Sequence, residues 1–173
     1  MTALYSPVMQ IAYVVEDIEK AARHWALTLG VGPFYLLDHI PFKEIFYRDE
    51  PSPIDISVAI AYSGEIQIEL IQQHNDAPSI YTEFKQKFGY GQQHLGVTTE
   101  RFQDALDHFA ERGIKPRQQG KTLPGMNFAY LETDFHPGGM LELIEADESI
   151  MAAFDMIQKS SKNWDGDTVL KNF

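Results

Sequence analysis

The chain has 173 residues, of which 44% are hydrophobic and 23% charged; this is typical of a globular protein and disfavours disorder, collagen and coiled coil. Its formal net charge is −11 and it has no run of basic residues, so we expect no nucleic-acid partner. The absence of cysteine excludes disulfides, thiolate metal sites and a cysteine nucleophile. Residues 1–15 lack the pattern of a signal peptide and no long apolar run follows, so we expect a cytoplasmic protein with no membrane contact.

The first predicted elements are a strand and an amphipathic helix. Residues 10–15 alternate like a strand, and Ile18, Ala21, Ala22 and Trp25 have the spacing of one helix face. The helix is expected to end at Gly30, since glycine readily takes the left-handed conformation that closes a helix. Further strands are predicted at residues 34–39, 44–48, 54–62 and 65–72.

The second half of the chain repeats this order at an offset of 84 residues. The segment from Gln10 to Trp25 aligns without a gap on the segment from His94 to Phe109, and its helix is expected to end at Gly113. The predicted strands that follow are residues 115–118, 127–133 and 140–145. Helices are predicted at residues 79–88, between the copies, and at residues 148–162, after them.

This pattern predicts an α+β protein built from two βαβββ modules. A single helix covers each module's sheet only in part, so the two modules are expected to pack side by side about a pseudo-twofold axis within one domain. We expect module one at about residues 8–73, a linker at 74–91, module two at 92–146 and a helical tail at 148–173, all within one domain of residues 1–173.

Four polar residues occupy equivalent strand positions in the two copies. Alternation along the strands places Gln10 and His94 opposite the apolar face of each first strand, and Glu69 and Glu142 opposite the apolar face of each last strand. A twofold arrangement would bring all four side chains to one sheet face. An imidazole, two carboxylates and an amide oxygen suit a divalent ion such as Zn, Ni, Co, Mn or Mg, and do not suit copper(I).

The motifs that carry these residues resemble the vicinal oxygen chelate superfamily, which includes glyoxalases, bleomycin resistance proteins and dioxygenases. The resemblance covers residues 8–146 and is greatest to members of the glyoxalase I and methylmalonyl-CoA epimerase type. It is carried by QIAYVVEDIEKA at 10–21, His24-Trp25, LGVGPF at 29–34, QHLGV at 93–97 and GGMLELI at 138–144.

The resemblance implies a cupped, largely antiparallel sheet with helices outside, and one divalent metal ion (Zn, Ni, Co or Mn) on Gln10, Glu69, His94 and Glu142. It implies a lyase or isomerase that removes a proton next to a carbonyl group and stabilises a metal-bound enediolate. Glu142, flanked by Met140 and Ile144 on its strand face, is the expected base, and Glu69 is expected to return the proton. The implied partners are a small carbonyl or thioester substrate and a second copy in a homodimer.

Two other functions remain open at this stage. An extradiol-type iron dioxygenase is disfavoured because Gln10 and Glu69 stand where such enzymes typically carry histidine. A metal-free protein that sequesters a small molecule is disfavoured because it would not need two inward carboxylates. His24 and His108 are expected on helix surfaces and His136 in a turn, and spacing does not select among other candidates for the cup wall, including His39, His74 and Tyr130.

Overall fold

The structure is a computed structural model that describes residues 3–173; residues 1 and 2, which the sequence analysis included in the single domain, lie outside the described part. The described residues form four helices and one sheet of eleven strands. The helices are α1 (Ile18–Leu29), α2 (Ile80–Phe88), α3 (Phe102–Ala110) and α4 (Glu148–Lys162). The strands are β1 (Gln10–Val14), β2 (Phe34–Leu37), β3 (Phe42–Tyr47), β4 (Glu50–Pro51), β5 (Ile56–Ser63), β6 (Ile66–Gln73), β7 (Gly91–Thr99), β8 (Pro116–Thr122), β9 (Asn127–Leu131), β10 (Met140–Glu145) and β11 (Leu170–Asn172).

The sheet contains the same four-strand arrangement twice. Its order is β11-β2-β5-β6-β1-β7-β10-β9-β8-β3-β4, so β1-β6-β5-β2 in one half corresponds to β7-β10-β9-β8 in the other. The pairs β1 with β6, β7 with β10, and β2 with β11 are parallel, and all other described pairs are antiparallel. The predicted α+β class and the largely antiparallel sheet are therefore confirmed.

The two halves meet where β1 and β7 pair antiparallel. In this pairing Gln10 lies opposite Gly96 and Ala12 lies opposite His94. The repeat offset of 84 converts position 10 into 94 and position 96 into 12, so the two pairs are the same pair with the strands exchanged, as a twofold axis between the strands requires. The internal repeat is thus expressed as pseudo-symmetry in the sheet.

Strong curvature brings the two ends of the sheet towards each other. In a flat sheet β2 and β3 would lie about 38 Å apart, since eight strand spacings of about 4.8 Å separate them. The chain runs from Leu37 at the end of β2 to Phe42 at the start of β3, and five residues span at most about 18 Å. The sheet must therefore curl into a cup, although it does not close into a barrel.

Apolar residues line both faces of the curved sheet, as expected when each face is covered. On the outer face, Ile68 and Leu70 of β6 pack against α1, and Leu143 of β10 packs against α3. The inner face carries a separate apolar cluster that includes Val58, Phe128 and Ile157. Helices α1 and α3 lie outside the cup as expected, whereas α2 and α4 contribute to the inner cluster.

Several local features differ from the sequence analysis. The 44–48 segment, assigned to the strands of the first copy, forms β3, which pairs with β8 on the far side of the sheet. Helix α3 ends at Ala110, three residues before Gly113, because a turn with Gly113 in the left-handed region follows it. Helix α1 ends as predicted at Gly30, whose N–H donates to the carbonyl of Ala26. The short strands β4 and β11 were not predicted.

No helix within residues 3–173 combines the length and apolar character needed to cross a bilayer.

Candidate functional site

The strand register brings the four predicted ligand residues to the inner face of the cup. Glu69 lies beside Ala12 in the pairing of β6 with β1, and Glu142 lies beside Gly96 in the pairing of β10 with β7. These two pairs are again related by the repeat. Each ligand-bearing strand therefore places its residue next to the pseudo-twofold axis.

The four side chains are almost completely buried and lie close together. The exposed fraction is 1% for Gln10, 8% for Glu69, 0% for His94 and 6% for Glu142. The Nε2 atom of His94 lies 3.3 Å from Oε2 of Glu69 and 3.2 Å from Oε2 of Glu142. One atom from each of these three residues lies within 4.8 Å of the others, a spacing that one metal ion could bridge.

Three of the converging atoms lack a well-formed hydrogen bond. Within residues 3–173, no hydrogen-bond partner satisfies Oε1 of Gln10, Oε2 of Glu69 or Nε2 of His94. Buried polar atoms are rarely left in this state, because the loss of hydration is not compensated. Two carboxylates, an imidazole and an amide oxygen provide nitrogen and oxygen donors that fit a divalent ion.

Neighbouring amides orient the two nitrogen-bearing side chains. Nδ1 of His94 lies 2.6 Å from the side-chain amide oxygen Oε1 of Gln93, so Nδ1 donates and, in the neutral ring, Nε2 keeps its lone pair towards the glutamates. The Nε2 group of Gln10 donates to Oε1 of Gln67 at 2.6 Å, and Gln67 in turn donates to the hydroxyl of Tyr62. Oε1 of Gln10 is therefore left to point into the site.

Gly96 provides the space that Gln10 occupies. A Cβ atom at position 96 would lie 2.3 Å from Oε1 and 2.8 Å from Cβ of Gln10, distances that real contacts do not allow. The corresponding residue of the first copy is Ala12, which is also small and lies opposite His94. Both positions next to the axis are therefore occupied by a small residue, glycine or alanine, opposite a candidate ligand residue on the paired strand.

Burial and the close carboxylates shift the protonation of His94 and Glu69. Burial alone lowers the pKa of His94, but the carboxylates of Glu142 and Glu69 at its Nε2 outweigh this effect and raise the pKa to about 9. Burial raises the pKa of Glu69, and the charge of Glu142 raises it further against the opposing effect of His94. Without a metal, the site therefore holds its charges together by protonating the imidazole.

Two buried tyrosines extend the polar site into the cup. Helix α2 begins at a capping box in which the Ser79 hydroxyl accepts from the N–H groups of Tyr81 and Thr82, and this fixes Tyr81 at the inner face. The Tyr81 hydroxyl donates to the Tyr130 hydroxyl at 2.8 Å, and the Tyr130 ring meets His94 edge to face at 5.0 Å. Burial raises the pKa of both tyrosines well above the usual value, so both remain protonated donors.

The site opens into a cavity of about 540 Å³ inside the cup. Gln10, Glu69 and Glu142 lie in its wall together with both tyrosines, while His94 lies behind them. Most of the remaining wall is apolar, with residues from β5, β9, α4 and the segment at 37–42. A cavity of this size falls in the range of about 300–1,000 Å³ that small-molecule sites occupy.

The structure brings together all four residues that the sequence analysis selected, and it adds others that sequence alone did not reveal. Gln93 and Gly96 fall within the QHLGV motif at 93–97, which carries part of the family resemblance, so this motif is the sequence signal that could have identified them. Tyr81 and Tyr130 carry no spacing signal because α2 and β9 meet only in three dimensions. His24 and His136 lie in exposed positions outside the site.

A second group of potential ligands lies on the exposed surface. Asp38, His39 and His74 place one ligand atom each within 4.8 Å of the others. Nδ1 of His39 lies 2.6 Å from Asp55, and Nε2 of His74 lies 2.7 Å from the Ser57 hydroxyl. Each of these side chains therefore already has a polar partner within the protein.

Comparison with known proteins gives both a family match and structural likeness. A family model described as "Glyoxalase/Bleomycin resistance protein/Dioxygenase superfamily" matches residues 9–130. No curated protein matches the chain at a significant level.

Three of the similar solved structures illustrate the likeness in fold. Methylmalonyl-CoA epimerase from Mycobacterium tuberculosis has a TM-score of 0.61 and 16% identity, covering 88% of this chain and 95% of that one. A hypothetical protein from Bacillus halodurans C-125 has a TM-score of 0.61 and 19% identity, covering 82% and 95%. A variant of Streptomyces coelicolor methylmalonyl-CoA epimerase in complex with 2-nitronate-propionyl-CoA has a TM-score of 0.54 and 15% identity, covering 83% and 96%. At identities of 15–19%, these comparisons show a shared fold and nothing more specific.

Proposed function

The chain belongs to the glyoxalase/bleomycin resistance/dioxygenase superfamily, and on that premise we propose that it is a divalent-metal-dependent isomerase or lyase that moves a proton next to a carbonyl group. The observation that carries this proposal is a buried polar cluster: Nε2 of His94 lies 3.3 Å from Oε2 of Glu69 and 3.2 Å from Oε2 of Glu142, and Oε1 of Gln10 finds no hydrogen-bond partner in the described chain. Together these side chains supply one nitrogen and three oxygen donors, a set that fits a divalent ion.

Gln10, Glu69, His94 and Glu142 would hold the metal, which would be Zn, Ni, Co or Mn given these nitrogen and oxygen donors. When bound, the ion supplies Lewis-acid polarisation of the substrate carbonyl, which makes the neighbouring C–H bond more acidic. Gln93 keeps the Nε2 lone pair of His94 directed into the site, and Gln67 does the same for the amide oxygen of Gln10.

The two glutamates would carry the proton. Both lie in the cavity wall, on strands related by the pseudo-twofold axis, so they approach a bound substrate from different sides. We assign removal of the proton to Glu142 and its return to Glu69. The protonated Tyr130 hydroxyl can donate a hydrogen bond to a substrate oxygen. If a proton returns to the opposite face of the carbon, the reaction is an epimerisation.

The epimerase neighbours, at 15–16% identity and one of them in complex with 2-nitronate-propionyl-CoA, make a thioester substrate one option for this chain. A neutral ketone or aldehyde is another. The chemistry proposed for the residues is common to both, because each has an acidic C–H bond beside a carbonyl carbon.

Deuterium exchange tests the proposal without knowledge of the physiological product. Protein loaded with Zn, Ni, Co or Mn is incubated in D₂O with methylmalonyl-CoA and with neutral aryl ketones, and loss of the C–H signal beside the carbonyl is followed by NMR. We expect exchange with at least one compound and a decrease of about 10²-fold or more in Glu142→Gln, as for loss of a general base.

Glu145→Gln is the matched control, because Glu145 lies on the same strand but its carboxylate accepts from Asn127 instead of entering the cavity. This variant should exchange at the parental rate. Unchanged exchange in Glu142→Gln would refute the role of Glu142. Absence of exchange with every compound, combined with tight ligand binding, would favour the sequestering function.

A further inference from the structure

The cavity beside the candidate metal site has a mainly hydrophobic wall. Ile56, Val58 and Ile60 of β5 form one side, and Phe128 of β9 forms another. Phe154 and Ile157 of α4 cover the space from above. These side chains come from three separate elements, so the apolar surface surrounds a bound molecule on several sides.

The wall offers no positive charge. Of the described residues that line the cavity, none is lysine, arginine or histidine, and the charged ones are Asp38, Glu69, Glu142 and Asp147. A divalent ion on Glu69 and Glu142 would neutralise the charge of these two carboxylates. It would leave no excess positive charge to balance a third carboxylate, that of a substrate. A substrate carboxylate buried here would therefore lose its hydration and find no positively charged side chain among the described wall residues.

The mouth of the cavity is acidic as well. The wall residues that are exposed, and hence mark the opening, include Asp38, Pro41, Pro124 and Ser149. Asp147 lies next to Ser149 and caps α4, and hydrogen bonds from Ser149 and from the N–H of Ile150 lower its pKa, so it is ionised at neutral pH. With a net charge of −11 on the whole chain, an anionic substrate would be repelled on approach.

From this lining we propose that the substrate is a neutral, mainly hydrophobic carbonyl compound, and that the part of the molecule held inside the cup carries no carboxylate. The inference rests on the proposed function for the carbonyl group and on the cavity for the rest. The carbonyl oxygen would face the four-residue site and Tyr130. The hydrophobic body would lie between β5, β9 and α4.

Calorimetric binding of two matched probes tests the substrate class. 2-Acetylnaphthalene is the neutral probe, and 6-acetyl-2-naphthoic acid has the same ring and carbonyl with one added carboxylate. Each is titrated into the Zn-loaded and the metal-free protein at neutral pH. We expect the neutral ketone to bind at least ten-fold more tightly than the acid in both forms.

A charge introduced into the wall should reverse this preference. Met126 lines the cavity and is only partly buried, so Met126→Arg should strengthen binding of the acid and weaken binding of the ketone. Ile150→Arg, at the mouth, provides a second variant if the first does not fold. Met151→Arg is the matched control because Met151 is 44% exposed on α4 and outside the wall, and it should keep the parental ratio.

The outcomes separate this inference from the proposed function. Equal or tighter binding of the acid by the parent protein, or no binding of the ketone, would overturn the substrate class even if deuterium exchange is observed. A clear preference for the ketone without exchange of any compound would refute the proposed function and leave the neutral, hydrophobic selectivity of the cavity standing.

Discussion

At the scale of single residues, His94 is the group at which protons would compete with the proposed metal. In the metal-free protein its pKa is about 9, because the carboxylates of Glu142 and Glu69 outweigh the effect of burial. A metal can bind Nε2 only after the proton leaves, so protons compete with the metal at neutral pH. The contacts of His94 with the two carboxylates, which favour its protonated form, would therefore weaken the affinity of the candidate site for a metal.

This competition predicts a pH-dependent metal affinity. Between pH 9 and pH 7 the apparent Kd for Zn or Co should increase about ten-fold for each unit of pH lost, since one proton must be displaced. The measurement is a titration against a competing chelator at several pH values. An affinity that stays constant over this range would contradict the protonation of His94.

The stability of the metal-free protein should change in the opposite sense. A pKa raised above the unfolded value of 6.5 means that His94 contributes stability in full below pH 6.5 and loses this contribution as the pH rises through about 9. Metal-free protein should therefore melt at lower temperature at pH 9 than at pH 6.5. The measurement is the melting temperature of the chelator-treated protein at pH 6.5 and at pH 9.

At the scale of elements, α4 connects the stability of the fold with the shape of the cavity. Ile157 is 1% exposed and packs in the inner cluster, and Phe154 lies beside it in the cavity wall. The neighbouring Tyr35 hydroxyl donates to Ser160 at 2.9 Å, which fixes the end of the helix over β2. The helix is thus part of the folded core and not an appendage.

Ile157→Ala should lower the free energy of unfolding by about 2–5 kcal/mol, because it removes a buried side chain and leaves a cavity. The adjacent Met156 is 41% exposed, so Met156→Ala should change stability by no more than about 0.5 kcal/mol. Urea denaturation of the three proteins gives both values. Similar midpoints for Ile157→Ala and the parent would show that α4 does not pack on the sheet in solution.

At the scale of the whole molecule, the candidate site joins the two halves of the sheet. Gln10 and Glu69 come from one half, His94 and Glu142 from the other, and all four meet at the β1–β7 boundary. A metal held by both halves would bind only the folded arrangement. Metal binding should therefore stabilise the entire fold.

Removal of the metal should lower the melting temperature. At a free metal concentration 100 times its Kd, the stabilisation is about 2.7 kcal/mol, which corresponds to a shift of roughly 5–10 °C for a chain of this length. The measurement is a thermal scan with Zn and with excess chelator. A Gln10→Ala and Glu69→Ala double variant should show no difference between the two scans, and a parent that shows none would argue against a metal in this site.

The homodimer and the cytoplasmic location expected from the sequence remain predictions, as do the module boundaries at residues 8–73, 74–91 and 92–146.

The sequence by itself determined the repeated order of elements and the four residues of the candidate site. Both depend on local patterns: helix and strand periodicity is encoded within a few residues, and alternation fixes which face of a strand each side chain takes. The repeat at a fixed offset then implies that Gln10 and His94 occupy equivalent positions in the two copies. The sequence therefore predicted which side chains would share the inner face.

Only the tertiary structure decided where distant segments meet. The pairing of β3 with β8, the contact between Tyr81 and Tyr130, and the cover that α4 provides over the cavity all join residues far apart in the chain. No local pattern encodes these contacts, because they arise from the curvature of the whole sheet. The charge and size of the cavity, and hence the selectivity proposed for it, follow from that curvature.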